Sequence, residues 1–144
     1  MMRVRVAALV VQDGRVLLAR HVKAGRSTFL LPGGGLEADE NAHEALAREL
    51  REEAGTGCTI GELRYVVEAN APDQSRHILQ LVFAASLDGD VGSSSDERVA
   101  ECGWHAIGRL HDLPIYPAIG AEIAQDLERA GPRPCRYLLV DWRE

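Results

Sequence analysis

The chain has 144 residues, a length that suits one domain with a hydrophobic core of ordinary size. Apolar residues make up 46% of it and charged residues 26%, as in soluble globular proteins. The formal net charge of -6 argues against a broad nucleic-acid-binding or anionic-membrane surface, and no apolar run approaches the length of a membrane span. The three cysteines are widely spaced and show no metal-ligand pattern, so we expect reduced thiols and a cytoplasmic location.

The N-terminal part of the chain favours β-strands. Residues 3–11 and 15–20 are predicted as two strands joined by a tight hairpin turn at residues 13–14, an Asp-Gly pair. A short strand is predicted over residues 28–31, and it leads into the three glycines at 33–35. We expect these glycines to form a loop, because glycine adopts backbone conformations closed to other residues and lets a chain approach a ligand closely.

A helix is predicted after this loop. Asn41 is a suitable N-cap, and Glu44 three residues later completes a capping-box pattern. Gly55 is placed to end the helix as its C-terminal glycine. Apolar residues at helical spacing form the stripe that we expect to be buried, namely Ala42, Ala45, Leu46 and Leu50.

The second half of the chain favours further strands and one more helix. Four strands are predicted, over residues 59–69, 77–87, 101–107 and 137–142, with a turn at 71–75 between the first two. The polar, glycine- and serine-rich stretch at 88–98 is expected to be a mobile loop. Apolar residues recur at helical spacing within residues 117–129, which predicts the second helix.

Three carboxylates of the first helix lie on one face. Glu49, Glu52 and Glu53 are spaced i, i+3 and i+4, which brings their side chains together. Like charges at this spacing destabilise an isolated helix, so a divalent cation that neutralises them is a natural explanation. The alternative is a solvated helix face on which Arg48 pairs with Glu44 and Glu52.

The spacing of the whole segment favours the cation. Gly34 is followed after five residues by Glu40, and after seven more by Arg48-Glu49-Leu50-x-Glu52-Glu53-x-Gly55. This pattern resembles the Nudix box, the signature of the Nudix hydrolase family. Thr56 departs from it, because the family carries a bulky aliphatic residue there. The resemblance implies an α/β/α sandwich with a mixed sheet and a loop-helix-loop metal site, in a single domain over residues 1–144.

The same resemblance implies a set of metal ligands. These are the carboxylates of Glu49, Glu52 and Glu53 and the backbone carbonyl of Gly33, and the ion is Mg²⁺ or Mn²⁺, which prefer hard oxygen ligands. Arg48 is expected to pair with a box glutamate and fix its geometry. Glu40 is expected to have a structural role rather than to bind the metal.

Hydrolysis of a diphosphate also needs a group that activates water. The resemblance leaves four candidates for this general base: Glu52, Glu53, Glu97 and Glu101. For Glu97, a place in a solvated loop is an equally weighted alternative, and Glu101 on a strand edge also suits simple exposure to water.

Candidate substrate contacts surround the glycines. Arg20 and Arg26 belong to a basic cluster just before them and are candidates for binding substrate phosphates, with a solvated turn as the alternative. Gly34 and Gly35 are candidates because a glycine backbone can approach phosphate closely.

The resemblance implies a nucleotide-type substrate, a nucleoside diphosphate linked to another moiety. Pro72 falls sixteen residues after Thr56, which resembles an auxiliary signature of ADP-ribose pyrophosphatases and favours ADP-ribose or another nucleotide sugar. The compact length suits a (d)NTP pyrophosphohydrolase as the second hypothesis. A non-catalytic nucleotide sensor is the third, although the box glutamates that such a domain would lose are all present. Homodimerisation is a further tendency of the family.

Overall fold

The computed structural model describes residues 2–73, 75–131 and 133–141. It contains eight strands and two α-helices, in the order β1 (Met2–Gln12), β2 (Arg15–Lys23), β3 (Arg26–Leu30), β4 (Gly33–Gly35), α1 (Ala42–Ala54), β5 (Cys58–Asn70), β6 (His77–Leu87), β7 (Val99–Ala106), α2 (Gly120–Glu128) and β8 (Arg136–Asp141). A short 3₁₀-helix covers Ile107–His111. Gln74 in the predicted turn and Trp142 at the end of the last predicted strand lie outside the described residues.

The strands form one mixed sheet. Its main order is β3-β2-β1-β6-β5-β8, with β4 paired to β1 and β7 paired to β2. The β1–β6 and β5–β8 pairs are parallel, and the remaining pairs are antiparallel. At the β1–β2 turn, Asp13 and Gly14 have φ angles of 52° and 73°, the left-handed values that a two-residue hairpin turn needs. The predicted hairpin is confirmed.

A helix covers each face of the sheet. Alternate residues of β1 point to opposite faces, so that Val6, Ala8 and Val10 pack toward α1 while Ala7 and Leu9 pack toward α2. The α1 side contains the predicted apolar stripe of that helix, with Ala45, Leu46 and Leu50 fully buried. The α2 side contains Ile119, Ile123 and Ala124. This arrangement is the predicted α/β/α sandwich.

Two predicted segments differ from expectation. Residues 33–35 form strand β4 rather than a loop, because they pair with β1 at Arg5, Val6 and Ala7. The segment 88–98 is irregular as predicted, but hydrogen bonds anchor it to the C-terminal end of α1: Gly92 N–H donates to the Ala54 carbonyl and Ser95 N–H to the Glu52 carbonyl, each at 2.7 Å. Part of this loop therefore packs against the helix that carries the carboxylates.

No helix within the described residues is long and apolar enough to cross a lipid bilayer.

Candidate metal centre and active site

Local sequence sets the length of helix α1. The Asn41 side chain accepts a hydrogen bond from Glu44 N–H at 2.9 Å, and the Glu44 carboxylate accepts one from Asn41 N–H at 3.0 Å. Gly55 ends the helix with a left-handed φ of 69°. The predicted capping box and terminal glycine are both confirmed, and they fix which residues of α1 face strand β4.

Two of the box glutamates point into the protein. Glu49 is 4% exposed and Glu53 is 2% exposed, so both carboxylates lie with the buried side of α1 rather than on a solvated face. Glu53 Oε2 accepts a hydrogen bond of 2.8 Å from the backbone N–H of Gly33. The solvated-helix alternative is therefore wrong for these two residues.

The glycines of β4 make room for these carboxylates. A Cβ on Gly34 would collide with the Glu49 carboxylate, and a Cβ on Gly33 would collide with the Val6 carbonyl oxygen of β1. None of the three β4 glycines has a positive φ. Their role is thus close approach in an extended strand, and the expectation that they serve an unusual backbone conformation is wrong.

A third carboxylate joins the two buried glutamates from the anchored loop. Oxygen atoms of Glu49, Glu53 and Asp96 all lie within 4.8 Å of one another. The Asp96 side chain is 8% exposed, and Arg98 Nη2 donates to its Oδ2 at 2.8 Å. Asp96 was not predicted as a site residue, because a single aspartate in a polar loop carries no spacing signal. A solvated loop was the alternative for the neighbouring Glu97, but the Asp96 side chain is largely shielded from solvent.

Glu52 lies at the edge of this carboxylate group. Its side chain is 41% exposed, and Arg48 Nη1 approaches its Oε1 at 3.5 Å. It is not among the three residues whose oxygens converge, so metal binding by Glu52 stays a prediction. Glu52 instead lines a cleft of about 470 Å³ together with Ser95, Asp96, Glu97 and Arg98. Two candidates for the general base, Glu52 and Glu97, therefore share one cleft beside the carboxylate group.

Arg48 connects the helix to the segment that precedes it. Its Nε and Nη2 atoms donate to the two oxygens of Glu40 at 3.1 and 2.7 Å, and its Nη1 donates to Glu49 Oε1 at 2.9 Å. Hydrogen bonding to Glu40 is the main reason that the pKa of Arg48 is raised, and it lowers the pKa of Glu40. The predicted pairing with a box glutamate is present, and the Glu40 contacts suit the structural role expected for it.

The electrostatics of the group favour a bound cation. Burial raises the pKa of Glu49 and raises that of Glu53 to about 8, because neither carboxylate is well solvated. Within the described residues, the buried Glu49 Oε2 has no hydrogen-bond partner. Buried polar atoms of native proteins rarely lack a partner. Hard oxygen donors at this spacing suit Mg²⁺ or Mn²⁺, so the residues present fit such an ion.

The remaining predicted residues lie further out. Glu101 is 59% exposed, and its Oε2 is 3.6 Å from Arg20 Nη2, so these two candidates pair with each other across β7 and β2. Arg26 is exposed at the start of β3, next to the turn from β2. Base catalysis by Glu101 and phosphate binding by Arg20, Arg26, Gly34 and Gly35 stay predictions.

Comparison with known proteins identifies the family to which this fold belongs. A family model described as the NUDIX domain matches residues 1–127. The chain is 40% identical to a MutT-like protein of Streptomyces ambofaciens over 98 residues, 67% of this chain and 60% of that protein. It is 30% identical to an ADP-ribose pyrophosphatase of Methanocaldococcus jannaschii over 100 residues, 68% of this chain and 59% of that protein.

Solved structures show the same architecture. The solution structure of the E. coli ORF135 protein has a TM-score of 0.75 and 27% identity, with 92% of this chain and 95% of that chain covered. The MutT Nudix hydrolase of Burkholderia pseudomallei has a TM-score of 0.72 and 29% identity, with coverage of 87% and 97%. The fold, the box and the family match together place the chain in the Nudix hydrolase family. The two curated relatives described above are longer, and the chain spans about three-fifths of their length.

Proposed function

We propose that the protein is a Mg²⁺- or Mn²⁺-dependent pyrophosphohydrolase that cleaves a nucleoside diphosphate linked to another moiety. The observation that carries the proposal is the convergence of Glu49, Glu53 and Asp96 with one buried Glu49 oxygen unpartnered among the described residues. Glu49 and Glu53 are buried and Asp96 is partly buried, and carboxylates this close together repel one another unless a cation neutralises them. Metal-dependent hydrolysis is the reaction class that the family and this donor set both favour.

Each part of the site has a proposed task. Glu49, Glu53 and Asp96 hold the ion, with Glu52 and the Gly33 carbonyl as further ligands taken from the resemblance. An Mg²⁺ or Mn²⁺ ion held by these residues would neutralise charge on the diphosphate oxygens and lower the pKa of a bound water molecule. Arg48 holds Glu49 in place through a 2.9 Å hydrogen bond.

The water molecule is activated by a carboxylate of the cleft. Glu52 and Glu97 are the two proposed bases there, since both line it, while Glu53 and Glu101 are less favoured by their positions. The base accepts a proton from the water molecule while the water oxygen forms a bond to phosphorus. The bridging P–O bond of the diphosphate breaks, and two phosphate esters are released.

For the substrate we favour ADP-ribose or another nucleotide sugar over a (d)NTP. The M. jannaschii relative named as an ADP-ribose pyrophosphatase matches over 100 residues and supports this choice. The second candidate is supported by an E. coli protein named as a CTP pyrophosphohydrolase, which is 44% identical over 59 residues. A non-catalytic nucleotide sensor is the remaining alternative.

The proposal also includes the domain organisation, the cellular location and the oligomeric state of the protein. We propose one domain over residues 1–144 and a cytoplasmic location, which the free thiols of Cys58, Cys102 and Cys135 support. We also propose a homodimer, which the exposed apolar residues Tyr137 and Leu139 on strand β8 support; they are 58% and 67% exposed. Light scattering tests the dimer.

A substrate screen tests the reaction. Chromatographic assays that separate substrate from its hydrolysis products, run with Mg²⁺ or Mn²⁺ and with EDTA in parallel, cover nucleotide sugars, dinucleoside polyphosphates, coenzymes and (d)NTPs. We expect one class to be hydrolysed only in the presence of metal, and Glu49→Gln to abolish that turnover. Hydrolysis that persists in EDTA contradicts the metal role. Nucleotide binding without any turnover supports the sensor instead.

A further inference from the structure

Arg3 and Arg5 lie on one face of strand β1, next to the glycine strand β4. They are two residues apart on a strand, so their side chains leave the same face, the one on which Ala7 packs toward α2. In the register of the sheet, Arg5 lies opposite Gly35 of the neighbouring strand β4 and opposite Gln80 of the strand β6 on its other side. The opposite side of β4 meets the carboxylates of α1, so the two arginines lie close to the metal centre without belonging to it.

Gln80 is a buried polar side chain beside Arg5. It is 2% exposed, and its Oε1 accepts a long hydrogen bond of 3.4 Å from Arg5 Nε. In the part of the chain that the structure describes, this is the only side-chain hydrogen bond of either residue. The Gln80 NH₂ and the terminal nitrogens of Arg5 therefore keep donors to offer. These N–H groups can bind an anionic ligand without breaking any side-chain hydrogen bond other than the long one between Arg5 and Gln80.

The positive charges of this pair are not neutralised by ion pairs. Arg48, Arg98 and Arg136 each contact a carboxylate within 4 Å, whereas among the described residues neither Arg3 nor Arg5 does. Burial and then the charge of Arg3 lower the pKa of the Arg5 guanidinium, while Glu53 and Glu49 act in the opposite direction. Two adjacent cations that form no ion pair within 4 Å among the described residues suit an anionic ligand.

Strand β4 also accommodates Arg3. A Cβ on Gly35 would lie 2.9 Å from Arg3 Nη2, so the absence of a side chain lets this guanidinium lie against the strand. Gly33, two residues earlier, holds Glu53 by its N–H. Two residues of strand span about 7 Å. Since Glu53 and Glu49 also act electrostatically on Arg5, the two charged groups lie near each other, and a substrate bound at the carboxylates has to extend past β4 to reach the two arginines.

We infer that Arg3 and Arg5, with Arg5 positioned by Gln80, form an anion subsite for a phosphate monoester of the substrate that is separate from the diphosphate at the metal. Guanidinium groups bind phosphate through paired N–H donors, which a lysine cannot reproduce. The inference rests on the proposed function and narrows it to nucleoside diphosphate derivatives that carry an additional phosphate. The competing role for Arg5 is to offset the charge of Glu49 and Glu53, with no contact to substrate.

Matched substrate pairs test the subsite. ADP-ribose is compared with its 2′-phosphate, and dephospho-coenzyme A with coenzyme A, because the members of each pair differ by one phosphate monoester. We expect the wild type to favour the phosphorylated member by roughly 10- to 100-fold in kcat/KM for at least one pair, mainly through KM. Arg5→Gln and Arg3→Gln lose this preference, while Arg15→Gln, at an exposed arginine of the β1–β2 hairpin, keeps it.

The other possible results distinguish a failure of the anion subsite from a failure of the proposed hydrolase function. Equal kcat/KM within both pairs for the wild type overturns the subsite. If Arg5→Gln weakens Mn²⁺ binding and lowers turnover of both members equally, Arg5 offsets carboxylate charge and the subsite is again overturned. If no compound is hydrolysed, the proposed function fails separately. Titration calorimetry of the same pairs then measures the subsite alone: tighter binding of the phosphorylated member, lost in Arg5→Gln, supports it, and equal binding overturns it.

Discussion

Glu53 Oε2 accepts a 2.8 Å hydrogen bond from the backbone N–H of Gly33, twenty residues earlier in the chain. This bond joins the C-terminal part of α1 to the glycine strand β4 at the point where the carboxylates converge. It satisfies one oxygen of a buried acid whose pKa burial raises to about 8. The helix, the glycine strand and the carboxylate group are thus one structural unit.

Replacing Glu53 with glutamine separates its role in metal binding from its role in the fold. The amide oxygen can still accept from Gly33 N–H, and the amide stays neutral at every pH, whereas the Glu53 carboxyl group has a folded pKa of about 8 and ionises at lower pH in the unfolded chain. We therefore expect the unfolding stability of the metal-free variant to exceed that of the metal-free wild type at pH 7, by a margin that grows as the pH rises to about 8. Mn²⁺ affinity and kcat fall, by roughly 100-fold or more for kcat, since a ligand of the metal is lost. Thermal unfolding, metal titration and turnover measure these effects. Glu62→Gln, at a side chain that is 87% exposed, is the control and leaves all three unchanged.

Gly34→Ala tests close packing at β4. The new methyl group collides with the Glu49 carboxylate, so we expect a loss of about 1–3 kcal/mol in unfolding free energy and weaker Mn²⁺ binding. Gly108→Ala is the matched control, because nothing lies within 4 Å of a Cβ at that position. Urea unfolding and metal titration of both variants measure the difference. Equal behaviour of the two would show that β4 has room for a side chain.

Arg48→Lys tests the pairing that holds Glu49. Lysine keeps the charge but cannot donate to both oxygens of Glu40 and also to Glu49. We expect kcat to fall by roughly 10- to 100-fold with little change in KM. Glu40→Gln is expected to lower kcat too, and the double variant to lose less than the product of the two single effects. Fully multiplicative losses would mean that Arg48 and Glu40 act independently.

The pair formed by Tyr65 and Asp126 predicts a pH-dependent stability. Tyr65 Oη donates to Asp126 Oδ2 at 2.6 Å, and Arg136 Nη1 contacts the same carboxylate at 3.0 Å. Burial alone would raise the pKa of Asp126, but these two partners outweigh it and the pKa is lowered. Because the folded pKa lies below the unfolded value of about 3.9, the stabilisation is present above that pH and is lost as the pH falls through the folded pKa.

Asp126→Asn measures this contribution. At pH 7 we expect the variant to lose about 1–3 kcal/mol of unfolding free energy, the usual range for a hydrogen-bonded charged group. The difference from the wild type should begin to shrink as the pH falls below about 4, because the unfolded chain then binds a proton that folded Asp126 still excludes, and it should keep shrinking toward the lower folded pKa. Urea unfolding between pH 3 and pH 7 follows it, with the exposed Asp39→Asn as control. A constant difference at all pH values would contradict the assignment.

The cysteines should react with a thiol reagent at different rates. Burial raises the pKa of Cys102 to about 12 and also raises that of Cys58, so both thiols are poorly ionised at pH 8. Cys135 is exposed. We expect one fast phase with Ellman's reagent in the native protein, which Cys135→Ser removes, and slow reaction elsewhere. A fast phase that survives in Cys135→Ser would contradict the raised pKa values of Cys58 and Cys102.

Structural features that depend on residues adjacent in the sequence were predictable from the sequence. The capping box of Asn41 and Glu44, the terminal Gly55 and the turn at Asp13 each follow from local backbone chemistry, and all are present. The spacing of the box identified the family and the helix that carries Glu49 and Glu53. Helical periodicity by itself did not show that these two acids are buried, since burial depends on how close β4 comes.

The sequence by itself therefore determined the family, the layered α/β fold and the acidic helix, because capping, turn formation and motif spacing act over a few residues. Only the tertiary structure decided which groups meet. Asp96 reaches Glu53 across 43 residues, and Arg5 meets Gln80 across 75, contacts that depend on loop anchoring and strand pairing. The glycines at 33–35 are a further example. Only glycine fits there because the Glu49 carboxylate and strand β1 pack against these positions, and the sequence around the glycines does not indicate that packing.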